Sequence, residues 1–224
     1  MTIKVLTPSN PTTSFLTTQT HKKMSQEATV YVVDDDPAVR ESVSALVNSA
    51  GLRVQTFPSA EAFLLVYKPE QPGCLVTDLR MLGMSGLDLL EKLAKSESPL
   101  PAILISAYAD VPAAVRAMEA GAVTLLEKPC RNDQLVQAIH KALERDAAQR
   151  ATRTLQQDIK RRLAALTPEE YEVMQRMVAG KLNKVIANEL LISLRTVETR
   201  RHKVLEKMKA DSLAELVRMV VEVE

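Results

Sequence analysis

The chain has 224 residues, a net charge of +1, no tryptophan and only two cysteines, Cys74 and Cys130. The length allows one large domain or two small ones, and cysteines so far apart argue against a disulfide framework or a zinc site and are typical of a reducing cytoplasm. No apolar run approaches the length that spans a bilayer, so we expect no contact with a membrane.

Residues 1–27 are rich in Thr, Ser and Pro and show neither helical nor strand periodicity. They lack the apolar core of a secretory signal and the arginines of a mitochondrial transit peptide. We therefore predict a disordered extension over this segment. Met24 lies close enough to the first predicted strand to be an alternative start of the natural protein.

Residues 28–146 alternate short apolar, β-branched runs with stretches of helical periodicity. Each run is bounded by turn residues or by an acid, and apolar residues at helical spacing follow it. This alternation predicts an α/β domain with a doubly wound, five-stranded parallel sheet. The predicted strands cover residues 29–33, 53–57, 74–77, 102–106 and 123–126.

A long helix is predicted from about residue 132, because the helical pattern continues to about residue 166 without Gly or Pro. Its part over residues 147–165 would be a helical linker, either a coiled-coil contact or a solvated connector. Residues 166–224 then show four short helical patterns, which predict a small all-α domain. The first has a strong start signal, with Thr167 as N-cap, Pro168 at the first position and Glu170 completing a capping box.

Four of the predicted strands end in polar residues. Asp34–Asp36 follow the first strand, and Asp78, Ser106 and Lys128 end or follow the third, fourth and fifth. Each alone would be an ordinary turn or surface residue, but a doubly wound sheet brings the carboxyl ends of its strands to one ligand-binding edge. Clustered carboxylates repel one another unless a cation intervenes, which favours Mg²⁺ binding. A lysine beside a hydroxyl could then hold a phosphoryl group.

These residues stand in motifs that resemble those of a CheY-like receiver domain over residues 28–146. The motifs are VVDDDP, VTDLRM, ISAYADVP and EKP, in that order. The resemblance implies that Asp78 is the nucleophile that accepts the phosphoryl group. It also implies that Ser106 hydrogen-bonds this group and that Lys128 pairs with it.

The same resemblance implies a Mg²⁺ site. Asp35 would be the direct ligand and Asp34 a nearby one acting through water, with Asp78 and the main-chain carbonyl of Arg80 completing the set. Asp36 is expected to cap a helix instead of binding the metal.

Two positions depart from the receiver pattern. Receivers usually carry Pro where Leu82 stands, and they usually carry Tyr or Phe where Leu125 stands. The first departure affects the stiffness of the loop after Asp78. The second removes the aromatic ring whose rotamer changes on phosphorylation in typical receivers.

The second half of the chain is locally basic. Residues 151–224 hold 14 Lys and Arg against 11 Asp and Glu, and the stretch from Lys181 to Lys209 holds eight basic residues against three acids. Such a stretch suits DNA phosphates, although the charge alone fits a solvated helix face equally well. A helix, a turn and a longer helix capped by Ser193 are typical of a helix-turn-helix. Its predicted core comprises Val185, Ile186, Leu190, Ile192, Val197, Val204, Leu205 and Met208.

Residues 166–220 resemble the LuxR/FixJ-type DNA-binding domain through LTPEEYEVM, AGKLNKVIANEL, ISLRTVETRRHKV and KMKADSLAELV. The resemblance makes residues 195–208 the recognition helix. It implies phosphate contacts from Lys184, Thr196 and Arg201, and base-edge contacts from Glu198, Thr199 and His202. Members of this family usually have His where Arg200 stands. Arg195, Arg200 and Lys203 complete the predicted DNA-binding set.

Together the two resemblances predict a cytoplasmic two-component response regulator. A histidine kinase would phosphorylate Asp78, and the chain would form a homodimer and bind double-stranded promoter DNA. No enzymatic turnover is expected beyond autophosphorylation from a phosphodonor and slow dephosphorylation. One alternative is a phosphohydrolase with an aspartyl nucleophile, although no insertion supplies a substrate cap. Another is a phosphorylation-independent adaptor that uses the last four helices for protein contacts.

Overall fold

The computed structural model describes residues 28–96, 98–107 and 111–223. The predicted extension over residues 1–27 lies outside the described residues. The chain divides into two compact units, with the boundary between Gln149 and Arg150. Within the described ranges, none of the helices combines the length and the apolar character that crossing a bilayer requires.

The first unit contains a parallel sheet of five strands in the order β2-β1-β3-β4-β5. The strands are β1 (Thr29–Val33), β2 (Arg53–Phe57), β3 (Gly73–Asp78), β4 (Ala102–Ser106) and β5 (Thr124–Glu127). The helices are α1 (Pro37–Ser49), α2 (Ala60–Val66), α3 (Gly86–Ala94), α4 (Val111–Glu119) and α5 (Asn132–Ala164), the last of which continues into the second unit. The predicted doubly wound sheet is confirmed.

The sheet has a separate apolar core on each face. Along β1, Val30 and Val32 belong to one core, whereas Tyr31 and Val33 belong to the other. This follows from the alternation of side chains along a strand, and it explains why the run is apolar from Val30 to Val33 without alternating polar residues. Burying one large aliphatic side chain on either face contributes roughly 1.5–3 kcal/mol.

The strand register fixes the edge where polar residues collect. Val33 pairs with Thr77, and Asp78 pairs with Ile105, so β1, β3 and β4 end at the same edge. The chain leaves β1 toward β2 on one side and returns to β3 on the other. The crevice outside the carboxyl ends of β1 and β3 is therefore the topological switch point, where open α/β sheets bind ligands.

The second unit consists of α6 (Pro168–Val178), α7 (Asn183–Leu190), α8 (Leu194–Met208) and α9 (Leu213–Val221), together with the end of α5. Its core includes Ile159 of α5, which is fully buried. The predicted four-helix all-α domain is confirmed. The prediction that Val185 lies in its core is wrong, because Val185 is 42% exposed and the adjacent Ile186 takes the inward position.

Candidate functional site

The end of β1 presents one buried acid, Asp34, and two exposed acids, Asp35 and Asp36. Asp34 is buried and its Oδ1 accepts a hydrogen bond from the Asp36 N–H at 2.9 Å. The Asp34 carbonyl accepts one from Arg40 Nη1 at 2.8 Å. Asp36 caps α1 by accepting from the Ala38 N–H at 2.8 Å, which confirms its predicted role. These bonds fix the Asp34 carboxylate at the switch point.

Asp78 and Lys128 form the central contact of this edge. Lys128 Nζ donates to Asp78 Oδ2 at 2.5 Å and to Asp34 Oδ2 at 3.0 Å. Asp78 Oδ1 accepts from the Arg80 N–H at 3.0 Å. Burial disfavours the ammonium, but the hydrogen bonds to Asp78 and Asp34 outweigh it and raise the pKa of Lys128. One cation thus bridges two carboxylates that would otherwise repel each other, and it compensates one of their two negative charges.

Ser106 lies on the neighbouring strand end, where it is buried. Its carbonyl accepts a hydrogen bond from the Lys128 N–H at 2.8 Å, and the preceding Ile105 pairs with Asp78. The structure therefore brings Ser106, Asp78 and Lys128 to adjacent positions along the edge. Leu125 stands where receivers usually carry an aromatic residue. It is half-buried and packs against the core on the sheet face that contains Tyr31 and Val33.

The predicted metal ligands lie at this edge but do not converge. They are Asp34, Asp35, Asp78 and the main-chain carbonyl of Arg80. Among the described residues, no three acidic, His or Cys side chains are grouped as a metal site. Lys128 bridges two of the acids, while exposed Asp35 accepts from the Leu82 N–H at 3.1 Å. Carboxylate and carbonyl oxygens are nevertheless the donors that Mg²⁺ prefers, so the set fits the ion by its chemistry.

Glu61 is a residue of this edge that sequence reasoning missed. Its Oε1 accepts a hydrogen bond from the Met84 N–H at 3.0 Å, which ties α2 to the loop over residues 79–85. Hydrogen bonds from the main-chain N–H groups of Glu61 and Met84 hold the pKa of the Glu61 carboxyl below its usual value. The loop then enters α3 through a capping box formed by Ser85 and Asp88. No local sequence signal links Glu61 to a loop 23 residues away.

The second unit contains the predicted helix-turn-helix. Helix α7 ends at Leu190, and the C-cap residue Leu191 adopts a left-handed conformation with φ of 54°. Ser193 then caps α8 by accepting from the Thr196 N–H at 3.1 Å. The tight turn and the cap together set the direction of α8, as a helix-turn-helix requires.

Most of the predicted DNA-contact residues lie away from the buried face of α8, whereas Arg200 and Arg201 flank it. That face consists of Val197, Val204 and Met208. Six predicted contacts are exposed, namely Lys184, Arg195, Glu198, Thr199, His202 and Lys203, whereas Thr196, Arg200 and Arg201 are half-buried. The Thr199 hydroxyl donates to the Arg195 carbonyl at 2.9 Å, so its lone pairs are still available to a partner.

Two of the basic residues in this stretch have structural partners. Lys207 Nζ donates at 2.6 Å to Glu170 Oε2, which also accepts from the Thr167 N–H at 2.9 Å. The Lys207 hydrogen bond lowers the pKa of the buried Glu170 carboxyl. Lys181 pairs with Glu189 at 2.5 Å. The basic stretch therefore serves the packing of the unit as well as its surface charge.

Both units match known protein families. Residues 30–140 match the response regulator receiver domain, and residues 164–220 match the luxR family of bacterial regulatory proteins. The transcriptional regulatory protein FixJ of Bradyrhizobium diazoefficiens is 42% identical over 198 residues, which cover 88% of this chain and 97% of that protein. FixJ of Rhizobium meliloti is 45% identical over 193 residues, 86% of this chain and 95% of that protein.

Solved structures agree with this assignment. The response regulator StyR matches with a TM-score of 0.80 and 43% identity, covering 88% of this chain and 99% of its own. Full-length FixJ from B. japonicum matches with a TM-score of 0.54 and 41% identity, covering 88% and 98%. The chain therefore belongs to the FixJ family of response regulators, phosphorylation-controlled transcription regulators that join a receiver domain to a LuxR-type DNA-binding domain.

Proposed function

We propose that Asp78 is the residue that accepts the phosphoryl group, and that a phosphohistidine of a histidine kinase donates it. An Asp78 carboxylate oxygen attacks the phosphorus, the phosphorus–nitrogen bond breaks, and the imidazole leaves with the bond pair. The product is an acyl phosphate on Asp78. The observation that carries this proposal is the 2.5 Å contact between Asp78 Oδ2 and Lys128 Nζ at the switch point.

The neighbouring side chains would then bind the new phosphoryl group. Lys128, whose ammonium already bridges two carboxylates, would pair with a phosphoryl oxygen. The Ser106 hydroxyl would hydrogen-bond another phosphoryl oxygen from the adjacent strand end. Asp34, Asp35, Asp78 and the Arg80 carbonyl would hold Mg²⁺, which supplies charge neutralisation when bound. No turnover of a separate substrate is expected beyond slow hydrolysis of the acyl phosphate.

Intact-mass measurement after incubation with acetyl phosphate and Mg²⁺ tests this assignment. We expect one added phosphoryl group per chain, and peptide mapping should place it on the peptide that contains Asp78. No uptake, or uptake on a peptide that lacks Asp78, would contradict the assignment.

We further propose that the phosphorylated chain acts in the cytoplasm as a homodimer on double-stranded promoter DNA. Support for dimerisation comes from α4, which exposes Val111, Val115 and Met118 at 76%, 49% and 53%. These residues stand at helical spacing on one apolar stripe, which is typical of a surface that a partner covers. The exposed basic side chains of α8 supply the charge for the DNA.

Variants of α8 separate phosphate contacts from base contacts. Arg201→Ala should weaken binding to all sequences alike and reduce the salt slope by about one, because it removes one phosphate contact. His202→Ala or Thr199→Ala should instead change the preferred bases, since a good base contact contributes roughly 1–3 kcal/mol of discrimination. Selection from a random duplex library, followed by binding at several salt concentrations, measures both effects.

Arg218→Ala is the matched control, because this exposed arginine lies in the same unit on α9. Its salt slope and base preference should stay those of the wild type. A changed base preference in Arg201→Ala together with an unchanged one in His202→Ala would show that α8 lies on DNA in another orientation.

A further inference from the structure

The loop that follows Asp78 is bound to an acid of the predicted metal site. Asp35 Oδ2 accepts a hydrogen bond from the main-chain N–H of Leu82 at 3.1 Å, although the two residues are 47 positions apart. Asp35 is exposed and Leu82 is 82% exposed, so neither is held there by core packing. The hydrogen bond therefore joins this part of the loop to the end of β1.

The same loop is held at a second point. Two residues later, the Met84 N–H donates to Glu61 Oε1 at 3.0 Å. Ser85 then starts α3 with its capping box. The loop is thus fixed from Met84 onward by groups outside the metal site, and the Leu82 N–H is kept within reach of Asp35.

This contact depends on the residue type at position 82. Proline, which receivers usually carry there, has no N–H and could not donate to Asp35. Leucine has a main-chain N–H that can donate. This chain can therefore form a hydrogen bond that a receiver with proline at this position cannot. A carboxylate that accepts a main-chain hydrogen bond is stabilised in that position. Because the acids of the predicted metal site are not grouped while this bond is made, Asp35 must turn toward the other acids to share a cation with them, a movement that the bond to Leu82 opposes.

We propose that the main-chain N–H of Leu82 is a latch that competes with Mg²⁺ for the Asp35 carboxylate. Binding of Mg²⁺ releases Leu82 from Asp35, while Met84 stays bound to Glu61. Leu82 is thus a positioning residue that weakens metal binding and links it to the conformation of the 79–85 loop. This inference rests on the proposed function, which assigns Asp35 to the metal.

Isothermal titration of the full chain with MgCl₂, at constant ionic strength, measures the competition. Leu82→Pro should bind Mg²⁺ roughly five-fold more tightly than the wild type, since a hydrogen bond of about one kilocalorie per mole no longer competes. Leu82→Ala keeps the N–H and removes only the exposed side chain, so its affinity should equal that of the wild type. Asp35→Ala provides the baseline without the direct ligand.

Amide hydrogen exchange in the wild type reports directly whether Mg²⁺ releases the Leu82 N–H, without any substitution. Saturating Mg²⁺ should speed exchange at Leu82 and leave exchange at Met84 unchanged, because the two amides have different carboxylate partners. Unchanged exchange at Leu82, or equal affinities of Leu82→Pro and Leu82→Ala, would overturn the latch and leave the metal site standing. If the wild type binds no Mg²⁺ above the Asp35→Ala baseline, the metal assignment fails and the latch fails with it.

Discussion

Asp78→Asn is expected to abolish phosphoryl uptake from acetyl phosphate. An amide offers no anionic oxygen for attack on phosphorus, and it weakens the pairing with the Lys128 ammonium. The Asn side-chain oxygen can still accept the hydrogen bond that the Arg80 N–H gives to Asp78, so the strand end should keep its conformation. Intact-mass measurement should show wild-type uptake of one phosphoryl group and none in the variant.

Asp36→Asn is the matched control for this experiment. Asp36 stands at the same edge of the sheet, but its side chain caps α1 through the Ala38 N–H. Asparagine caps a helix about as well as aspartate, so this variant should fold and accept phosphoryl normally. If Asp78→Asn gains the same mass as Asp36→Asn, the acceptor is another residue.

Gly86→Ala is expected to unfold or severely weaken the first unit. A Cβ at Gly86 would lie 2.0 Å from the Asp78 carbonyl oxygen and 3.0 Å from Thr77 Cγ2. The contact with the Asp78 carbonyl oxygen cannot relax without moving the backbone at the end of β3, which carries the acceptor. We expect a loss of roughly 3 kcal/mol or more in the free energy of unfolding, at the upper end for overpacking. Amide hydrogen exchange of β3, followed at increasing denaturant concentration, measures this loss of stability in the first unit.

Gly121→Ala separates this clash from the general effect of replacing a glycine. Gly121 has φ of +90° but no heavy atom within 4 Å of an added Cβ. Its replacement should cost only about 1–2 kcal/mol, the strain of a left-handed conformation. Equal stability of the Gly86 and Gly121 variants would show that the close approach to Asp78 is not required.

Local signals were sufficient to predict most of the fold. The sequence predicted β1, β2 and β4 at their observed bounds. β1 and β4 are nearly continuous apolar runs because they are buried on both faces of the sheet, whereas β2 is an edge strand with exposed polar residues. Cap residues such as Thr167 and Ser193 predicted helix starts, because each cap bond joins residues three apart. The meeting of Asp78 and Lys128 at one edge was predicted because a doubly wound sheet brings the carboxyl ends of its strands together.

Contacts between distant residues could not be predicted in this way. Asp35 with Leu82, Glu61 with Met84 and Lys207 with Glu170 are 23 to 47 positions apart, and each depends on how two elements pack. The error at Val185 has a related cause. Two apolar residues stand side by side at Val185 and Ile186, and only the packing of α7 decides which of them faces the core.

The central claim is that a phosphoryl group on Asp78 controls DNA binding by the second unit. Its most direct test is the affinity for a duplex enriched from a random library, with and without acetyl phosphate and Mg²⁺, for the wild type and Asp78→Asn. We predict that the phosphodonor tightens wild-type binding by about 5-fold to 150-fold, the usual range of coupling between two sites, and leaves Asp78→Asn unchanged. Equal affinity of the wild type in both conditions, or an equal gain in the variant, would contradict the claim.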